Sequence, residues 1–152
     1  MLKTILQTLT LSCCLYTTSL QPSFTPSETS EYHCLVTTLM HEARNQSTIG
    51  ITWVASVIIN RTKHKNFPSS ICDVVLQPKQ FTDVHKAFKA STMHPNTSGY
   101  TKVATVAYNA LYSDLSLPKG VLYYHTKVIK PKWSTKMKKV AVVQDHVFYT
   151  TK

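Results

Sequence analysis

Glycine is scarce in this chain, with three among 152 residues. Glycine adopts positive φ angles at little steric cost, so folds built from many tight turns use it freely. The sequence also contains no glycine-rich phosphate loop of the kind that binds nucleotides or dinucleotides. A nucleotide enzyme is therefore not expected.

Acidic residues are also few, with seven Asp and Glu against 17 Lys and Arg. Two of them, Glu28 and Glu31, fall in a polar N-terminal stretch. From Tyr32 onward Glu42 is the only glutamate, and the other acids are aspartates: Asp73, Asp83, Asp114 and Asp145. Chemistry that needs a glutamate in the folded part of the chain must use Glu42.

No apolar run after residue 19 is long enough to span a bilayer. Residues 1–19 have the pattern of a signal peptide, with Lys3 before the apolar segment ILQTLTLSCCLY and small residues before a cleavage point. The pattern predicts an exported protein, periplasmic or extracellular. Two alternatives stay open: an N-terminal tether that is never cleaved, and lipidation at Cys14.

Cysteine is limited to four residues, and removal of the signal peptide would leave Cys34 and Cys72. An even pair in an exported chain favours one disulfide. The alternative is a pair of buried free thiols, which is common in cytosolic proteins.

The hydrophobic pattern predicts one α+β domain over residues 32–152, preceded by a linker over residues 20–31. The first helix is expected from about Glu31 to Arg44. Its apolar stripe consists of Leu35, Val36, Leu39, Met40 and Ala43. Further helices are expected in GITWVASVIINRTKH, in SSICDVVLQ with Ser70 as its cap, and in TSGYTKVATVAYNALYSD. The segments GVLYYH and VAVVQDHVFYT predict a short C-terminal antiparallel β element.

The seven histidines raise the question of a metal site. None has the spacing of zinc ligands, and no HExxH follows His41 because Asn45 occupies the position of the second histidine. Cys72 could act as a nucleophile only if it is not in a disulfide, and no G-x-S-x-G elbow is present for a serine. No metal and no cofactor are expected.

Lysine is concentrated in KVIKPKWSTKMKK, the Lys127–Lys139 segment, which holds six lysines and no acid. Taken alone, such a segment is a solvated basic loop. It could also bind a polyanion, including nucleic acid. For an exported protein the expected partners are anionic polymers of the cell envelope or wall, and Trp133 offers a flat face that could stack on a sugar ring.

Over about residues 33–149 the sequence has, in order, EARNQ, INR, FPSSICDVV and KQF, and later YYHTKVIKPKW and DHVFY. These ordered motifs resemble those of the SleB-type cell-wall hydrolases, whose pattern is an E-A-R-G-E core, a helix ending in N-R, a segment FP…CDVV and then G-Q-F. The resemblance implies a lysozyme-like α+β domain that cleaves peptidoglycan between N-acetylmuramic acid and N-acetylglucosamine.

The resemblance also implies roles for individual residues. Glu42 matches the first glutamate of the core and would be the general acid. The amides and aromatic rings of the motifs are expected to bind substrate: Gln46, Asn60, Gln80, Phe81, Tyr124, His125 and Trp133. Three positions depart from the pattern, since Asn45 and Lys79 replace glycines and Gln46 replaces the second glutamate. No carboxylate is available at position 46.

One carboxylate is enough for a lytic transglycosylase, because the C6 hydroxyl of the substrate replaces the water that most glycosidases activate. The prediction is therefore peptidoglycan cleavage with a 1,6-anhydro product and no obligate protein partner. If water were the acceptor, the second carboxylate would be sought first at Asp83, since Asp73 lies in a motif interpreted as structural. Two other classes stay open, a noncatalytic wall-binding protein with the same fold and a cationic polyanion-binding module.

Overall fold

The computed structural model describes residues 26–81, 84, 96–113 and 115–152. Within these residues the helices come first: α1 (Pro26–Ala43), α2 (Thr48–Thr62), α3 (Ile71–Val75) and α4 (Tyr100–Tyr112). The strands follow: β1 (Tyr123–Thr126), β2 (Lys138–Val143) and β3 (His146–Thr150), with a 3₁₀ helix (Lys132–Lys136) before β2. The predicted α+β architecture is confirmed.

Helix α1 begins earlier than the sequence pattern suggests. It starts at Pro26 rather than near Glu31, so residues 26–31 are helical and not linker. Proline is well tolerated in the first turn of a helix, because its missing N–H has no intrahelical partner there and its φ angle suits the helix. The proline that indicated a linker therefore begins the helix. The predicted signal peptide lies outside the described residues.

The predicted apolar stripe of α1 is buried, with exposed fractions of 3% or less at Leu35, Val36, Leu39, Met40 and Ala43. Helix α2 is buried on most of its circumference, and it packs against α1, α3 and α4. A helix that is apolar nearly all round must be central to the domain. Among the described helices, none is long and apolar enough to cross a membrane.

Two serines and one disulfide fix the helices. Ser47 caps α2 by accepting from the backbone N–H of Gly50, and Ser70 caps α3 by accepting from the N–H of Asp73 at 3.0 Å. The predicted bridge between Cys34 and Cys72 is present and joins α1 to α3, with a Cα–Cα distance of 5.3 Å.

The sheet is antiparallel, with β3 between β1 and β2. Phe148 on β3 is fully buried, and its ring centroid lies 5.0 Å from that of Trp53 on α2. Tyr124 is the partner of Phe148 on β1, and their rings lie 5.7 Å apart. Since neighbouring residues of paired strands share a face, Tyr124 is directed toward the helices with Phe148. The sheet therefore packs against α2, and Tyr124 reaches the C-terminal end of α1.

Candidate active site

A cleft runs along the junction between the end of α1 and the sheet. We call its two parts the aromatic half, with a volume of about 770 Å³, and the polar half, with about 370 Å³. Four residues border both halves: His41, Glu42, Thr126 and His146. Glu42, one residue before the end of α1, therefore lies where the two halves meet.

Glu42 is partly buried and accepts a hydrogen bond from Tyr124, with 2.7 Å between the Tyr124 hydroxyl and Oε2. Burial raises the pKa of Tyr124 well above its usual value, the Glu42 carboxylate adds to the increase, and the Arg61 guanidinium acts in the opposite direction. Tyr124 thus stays protonated and remains a donor. The predicted acid and one predicted substrate-binding residue are in direct contact.

Arg61, near the C-terminal end of α2, is the buried cation of the aromatic half and was not among the predicted site residues. Its Nε donates to the carbonyl of Leu122 at 2.8 Å, and burial lowers its pKa. Its guanidinium carbon lies 4.9 Å from the ring centroid of Phe67 and 5.6 Å from that of Tyr123. Cation–π contacts of this kind stabilise a guanidinium where water is excluded. The N-R pair of the sequence motif is the signal that could have identified it.

Gln80 and Phe81 line the aromatic half as predicted, and both also contact Arg61. Gln80 Oε1 accepts from Arg61 Nη1 at 3.1 Å, and the guanidinium carbon of Arg61 lies 5.5 Å from the Phe81 ring centroid. Lys79, at the position where the resembling family has glycine, has a positive φ of 63°. This backbone conformation favours glycine. Lys79 therefore keeps the turn that a glycine would make, at some conformational cost.

Trp133 on the 3₁₀ helix and His125 on β1 form one wall of the aromatic half, and both rings pack against Tyr149. The Trp133 ring lies 5.7 Å from His125 and 5.5 Å from Tyr149. His125 Nδ1 lies 2.8 Å from the carbonyl of Thr126, and its Nε2 lies 2.9 Å from the Tyr149 hydroxyl. Because a carbonyl only accepts, Nδ1 carries a proton. The wall is therefore held by its own internal contacts.

The polar half contains Gln46 and an acid that sequence reasoning did not select. Gln46 Nε2 donates to Oδ2 of Asp145 at 3.0 Å, and the backbone N–H of Asp145 donates to Gln46 Oε1 at 3.4 Å. Gln46 is 8% exposed, whereas Asp145 is exposed at the turn between β2 and β3. A carboxylate is thus present beside position 46, although position 46 itself has none.

His146 follows Asp145 and borders both halves of the cleft. It is buried, its Nδ1 has no hydrogen-bond partner, and its ring meets that of Tyr124 edge-on at 5.1 Å. Burial lowers the pKa of His146, while Asp145 acts to raise it. The motif DHVFY was the sequence signal that could have identified His146, but this motif does not distinguish a cleft residue from a core residue.

Asn60 does not line either half of the cleft, contrary to its predicted role in substrate binding. Its Nδ2 donates to the carbonyls of Pro118 at 2.8 Å and Val121 at 3.1 Å. Both protons of the amide are thereby used to hold the segment that leads into β1. The motif position reflects a structural requirement.

The other predicted groups fall in several places. Asp73 accepts from Ser70 Oγ at 2.6 Å at the start of α3 and lines neither half of the cleft. Asp83 lies outside the described residues. All six lysines of the Lys127–Lys139 segment are exposed, and Trp133 within it is half-buried. In the part of the chain that the structure describes, no group of three or more His, Cys, Asp and Glu side chains could hold a metal ion.

A glutamate thus lies between an aromatic and a polar half of one cleft, and a carboxyl group in a cleft is the type of group that glycosidases use to protonate a leaving oxygen. The family model described as Cell Wall Hydrolase matches residues 45–149. The chain therefore belongs to the cell wall hydrolase family. The match begins three residues after Glu42 and does not include that glutamate.

Solved structures with the same fold include two catalytic domains from Bacillus. The catalytic domain of the germination-specific lytic transglycosylase SleB from Bacillus anthracis is 20% identical, with a TM-score of 0.65 over 86% of this chain and 100% of that one. The catalytic domain of the SleB protein from Bacillus cereus is 21% identical, with a TM-score of 0.61 over 88% of this chain and 97% of that one. Among curated proteins, none matches the chain.

Proposed function

We propose that this protein cleaves the glycan strands of peptidoglycan between N-acetylmuramic acid and N-acetylglucosamine, as a lytic transglycosylase with Glu42 as its catalytic residue. The observation that carries the proposal is the position of Glu42 at the junction of the two halves, hydrogen-bonded by Tyr124. The family and the named activity of the Bacillus anthracis relative support the same reaction.

The cleft suits an extended saccharide. A strand that passes through both halves has its middle at Glu42, which is where the bond to be cleaved must lie. The aromatic half supplies ring faces, from Trp133 and Tyr123, against which sugar rings can pack. The polar half supplies side chains that exchange hydrogen bonds with hydroxyl and acetamido groups. Shape and chemistry therefore fit a glycan better than a peptide or a nucleotide.

In the proposed mechanism Glu42 transfers two protons in succession. Tyr124 donates to Oε2, so the proton that Glu42 gives to the glycosidic oxygen is carried by Oε1. As the bond from C1 of muramic acid to that oxygen breaks, N-acetylglucosamine leaves with a free hydroxyl. The C6 hydroxyl of muramic acid then attacks C1 and returns its proton to Glu42. The enzyme is regenerated, and the products differ from the substrate by no added water.

The roles of the aromatic wall and of the basic segment belong to the same proposal. Gln80, Phe81, His125 and Trp133 bind or shape the site for sugar rings, and Gln46 contributes to the polar half. Ile129, Pro131, Trp133 and Met137 of the Lys127–Lys139 segment line the aromatic half. The exposed lysines of the same segment attract anionic wall polymers. The disulfide between Cys34 and Cys72 supports export, since such bridges persist in oxidising compartments.

The test is a digest of purified peptidoglycan followed by mass analysis of the released muropeptides. We expect products that end in 1,6-anhydromuramic acid, lighter by one water than hydrolysed products. Glu42→Gln should lower the rate by at least about a hundredfold, because general acid catalysis contributes that much or more. Asp73→Asn, which makes the same change of acid to amide away from the cleft, is the control.

Three outcomes would contradict the proposal. Reducing-end muramic acid as the main product would identify water as the acceptor. Equal activity of the Glu42→Gln variant, with circular dichroism matched to the parent, would remove the catalytic role of Glu42. Binding to the wall without release of muropeptides would instead identify a noncatalytic wall-binding protein with this fold.

A further inference from the structure

The polar half of the cleft has a second carboxylate that the proposed mechanism does not use. Asp145 and Glu42 both line this half, and Asp145 is exposed to it. An ionised carboxylate only accepts hydrogen bonds, and its two oxygens offer about four acceptor sites. Gln46 Nε2 occupies one of these sites. Asp145 thus retains capacity to accept from a ligand in the polar half.

The position of Asp145 is fixed on both sides. The Gln46 amide accepts from its backbone N–H and donates to its side chain, so the pair is held at two points. The preceding residue, Gln144, accepts through Oε1 from the backbone N–H of Ser47 at 2.6 Å and from its hydroxyl at 2.8 Å. These contacts attach the turn between β2 and β3 to the start of α2.

Close packing at Gly50 reinforces this attachment. A Cβ added at Gly50 would lie 2.4 Å from Gln144 Oε1 and 2.9 Å from the Cβ of Gln46. Only glycine therefore lets the turn approach α2 so closely. Gln144 itself adopts a positive φ of 48°, an uncommon conformation for a side chain of its size. A turn held this firmly presents Asp145 to the polar half in one orientation.

We propose that Asp145 binds the N-acetylhexosamine unit that occupies the polar half, by accepting a hydrogen bond from a sugar hydroxyl or from the acetamido N–H. Gln46 is its positioning residue and does not itself have to touch the sugar. The ligand is a neutral sugar unit with hydrogen-bond donors, because the Asp145 carboxylate accepts hydrogen bonds and would repel an anionic group. The inference rests on the proposed function for the identity of the glycan.

The test measures binding rather than cleavage, so that it does not depend on the proposed reaction. The probe is a peptidoglycan tetrasaccharide of alternating N-acetylglucosamine and N-acetylmuramic acid, titrated by calorimetry into the full chain with Glu42→Gln. In this background Asp145→Asn should weaken binding about tenfold, because hydrogen bonds to charged groups are the stronger ones. Asp73→Asn, with the same loss of charge at α3, should leave the affinity unchanged.

A double variant separates the binding role from a structural one. Gln46→Glu combined with Asp145→Asn keeps an amide–carboxylate pair but moves the charge to the buried position 46. Because burying a carboxylate at position 46 lowers the melting temperature, affinity is measured well below the transition, where we expect it to stay about tenfold weaker than in the parent. Gln46→Leu should weaken binding in the chain that retains Asp145. In the Asp145→Asn variant it should cause no further loss of affinity, since the two residues act as one unit.

Each contrary result overturns the inference. Unchanged affinity in Asp145→Asn would mean that the carboxylate does not contact the sugar. Restored affinity in the double variant would mean that the pair is only structural, and equal weakening by Asp73→Asn would mean that net charge causes the effect. A lower kcat with unchanged binding, measured in the chain that retains Glu42, would make Asp145 a catalytic base. None of these results alters the outcome of the peptidoglycan digest.

Discussion

The two halves of the cleft are stabilised in different ways. The aromatic half is a network in which Arg61, Tyr123 and Trp133 contact several neighbours each, so that its shape is supported redundantly. The polar half depends on a few hydrogen bonds that Gln46 and its neighbours make with the β2–β3 turn. Loss of one contact should therefore change the shape of the aromatic half little, whereas it should change the shape of the polar half directly.

Residues of α1 line both halves, and the largest expected effect comes from removing the disulfide that holds this helix. Replacing Cys34 and Cys72 by serine removes the bridge between α1 and α3, whose cysteines are 38 residues apart in sequence. The free energy of unfolding should fall by about 3–4 kcal/mol, mainly because the unfolded chain gains freedom. Urea unfolding of the oxidised parent and the variant measures the difference. A difference below about 1 kcal/mol would mean that the disulfide does not constrain the unfolded state as expected.

Tyr124 donates a hydrogen bond to Glu42, where the two halves meet. Removal of the Tyr124 hydroxyl is the next test. Tyr124→Phe removes the hydrogen bond to Glu42 while retaining the ring against Phe148. We expect kcat to fall about tenfold with little change in KM, because the bond orients the acid rather than the sugar. Tyr123→Phe is the matched control, since its ring lies against Trp133 in the aromatic half. Equal losses in the two variants would contradict the orienting role.

Acid should affect the junction of the two halves, where His146 lies. Burial lowers the pKa of His146 below 6.5, so the folded state binds this proton less readily than the unfolded chain does. Its contribution to stability is complete above pH 6.5 and is lost as the pH falls through the lowered pKa. His146→Phe should therefore show a flatter decline of the urea midpoint below pH 6.5. An identical pH profile for parent and variant would show that His146 does not titrate differently in the two states.

The sequence predicted the aromatic half better than the polar half, and the reason is physical. Tyr124, His125 and Trp133 lie within one short segment, so a local motif was enough to group them. Gln46 and Asp145 are 99 residues apart, and no local pattern indicates that an amide and a carboxylate will pair across that distance. Asn60 was assigned to the cleft because an amide that binds backbone carbonyls cannot be distinguished by sequence from one that binds a ligand.

The smallest expected effect concerns the exposed lysines of the Lys127–Lys139 segment. Lys136, Lys138 and Lys139 are exposed, so their attraction to anionic wall polymers is screened by salt. Replacing all three by glutamine should flatten the decline of wall binding between low and physiological salt, while turnover of short soluble fragments changes less than about twofold. Such fragments reach the cleft but not the polymers that the lysines would contact. Lys63 and Lys65, exposed near the end of α2, provide a control for the general loss of positive charge. If replacing them flattens the salt profile equally, net charge rather than the Lys127–Lys139 segment governs attraction to the wall.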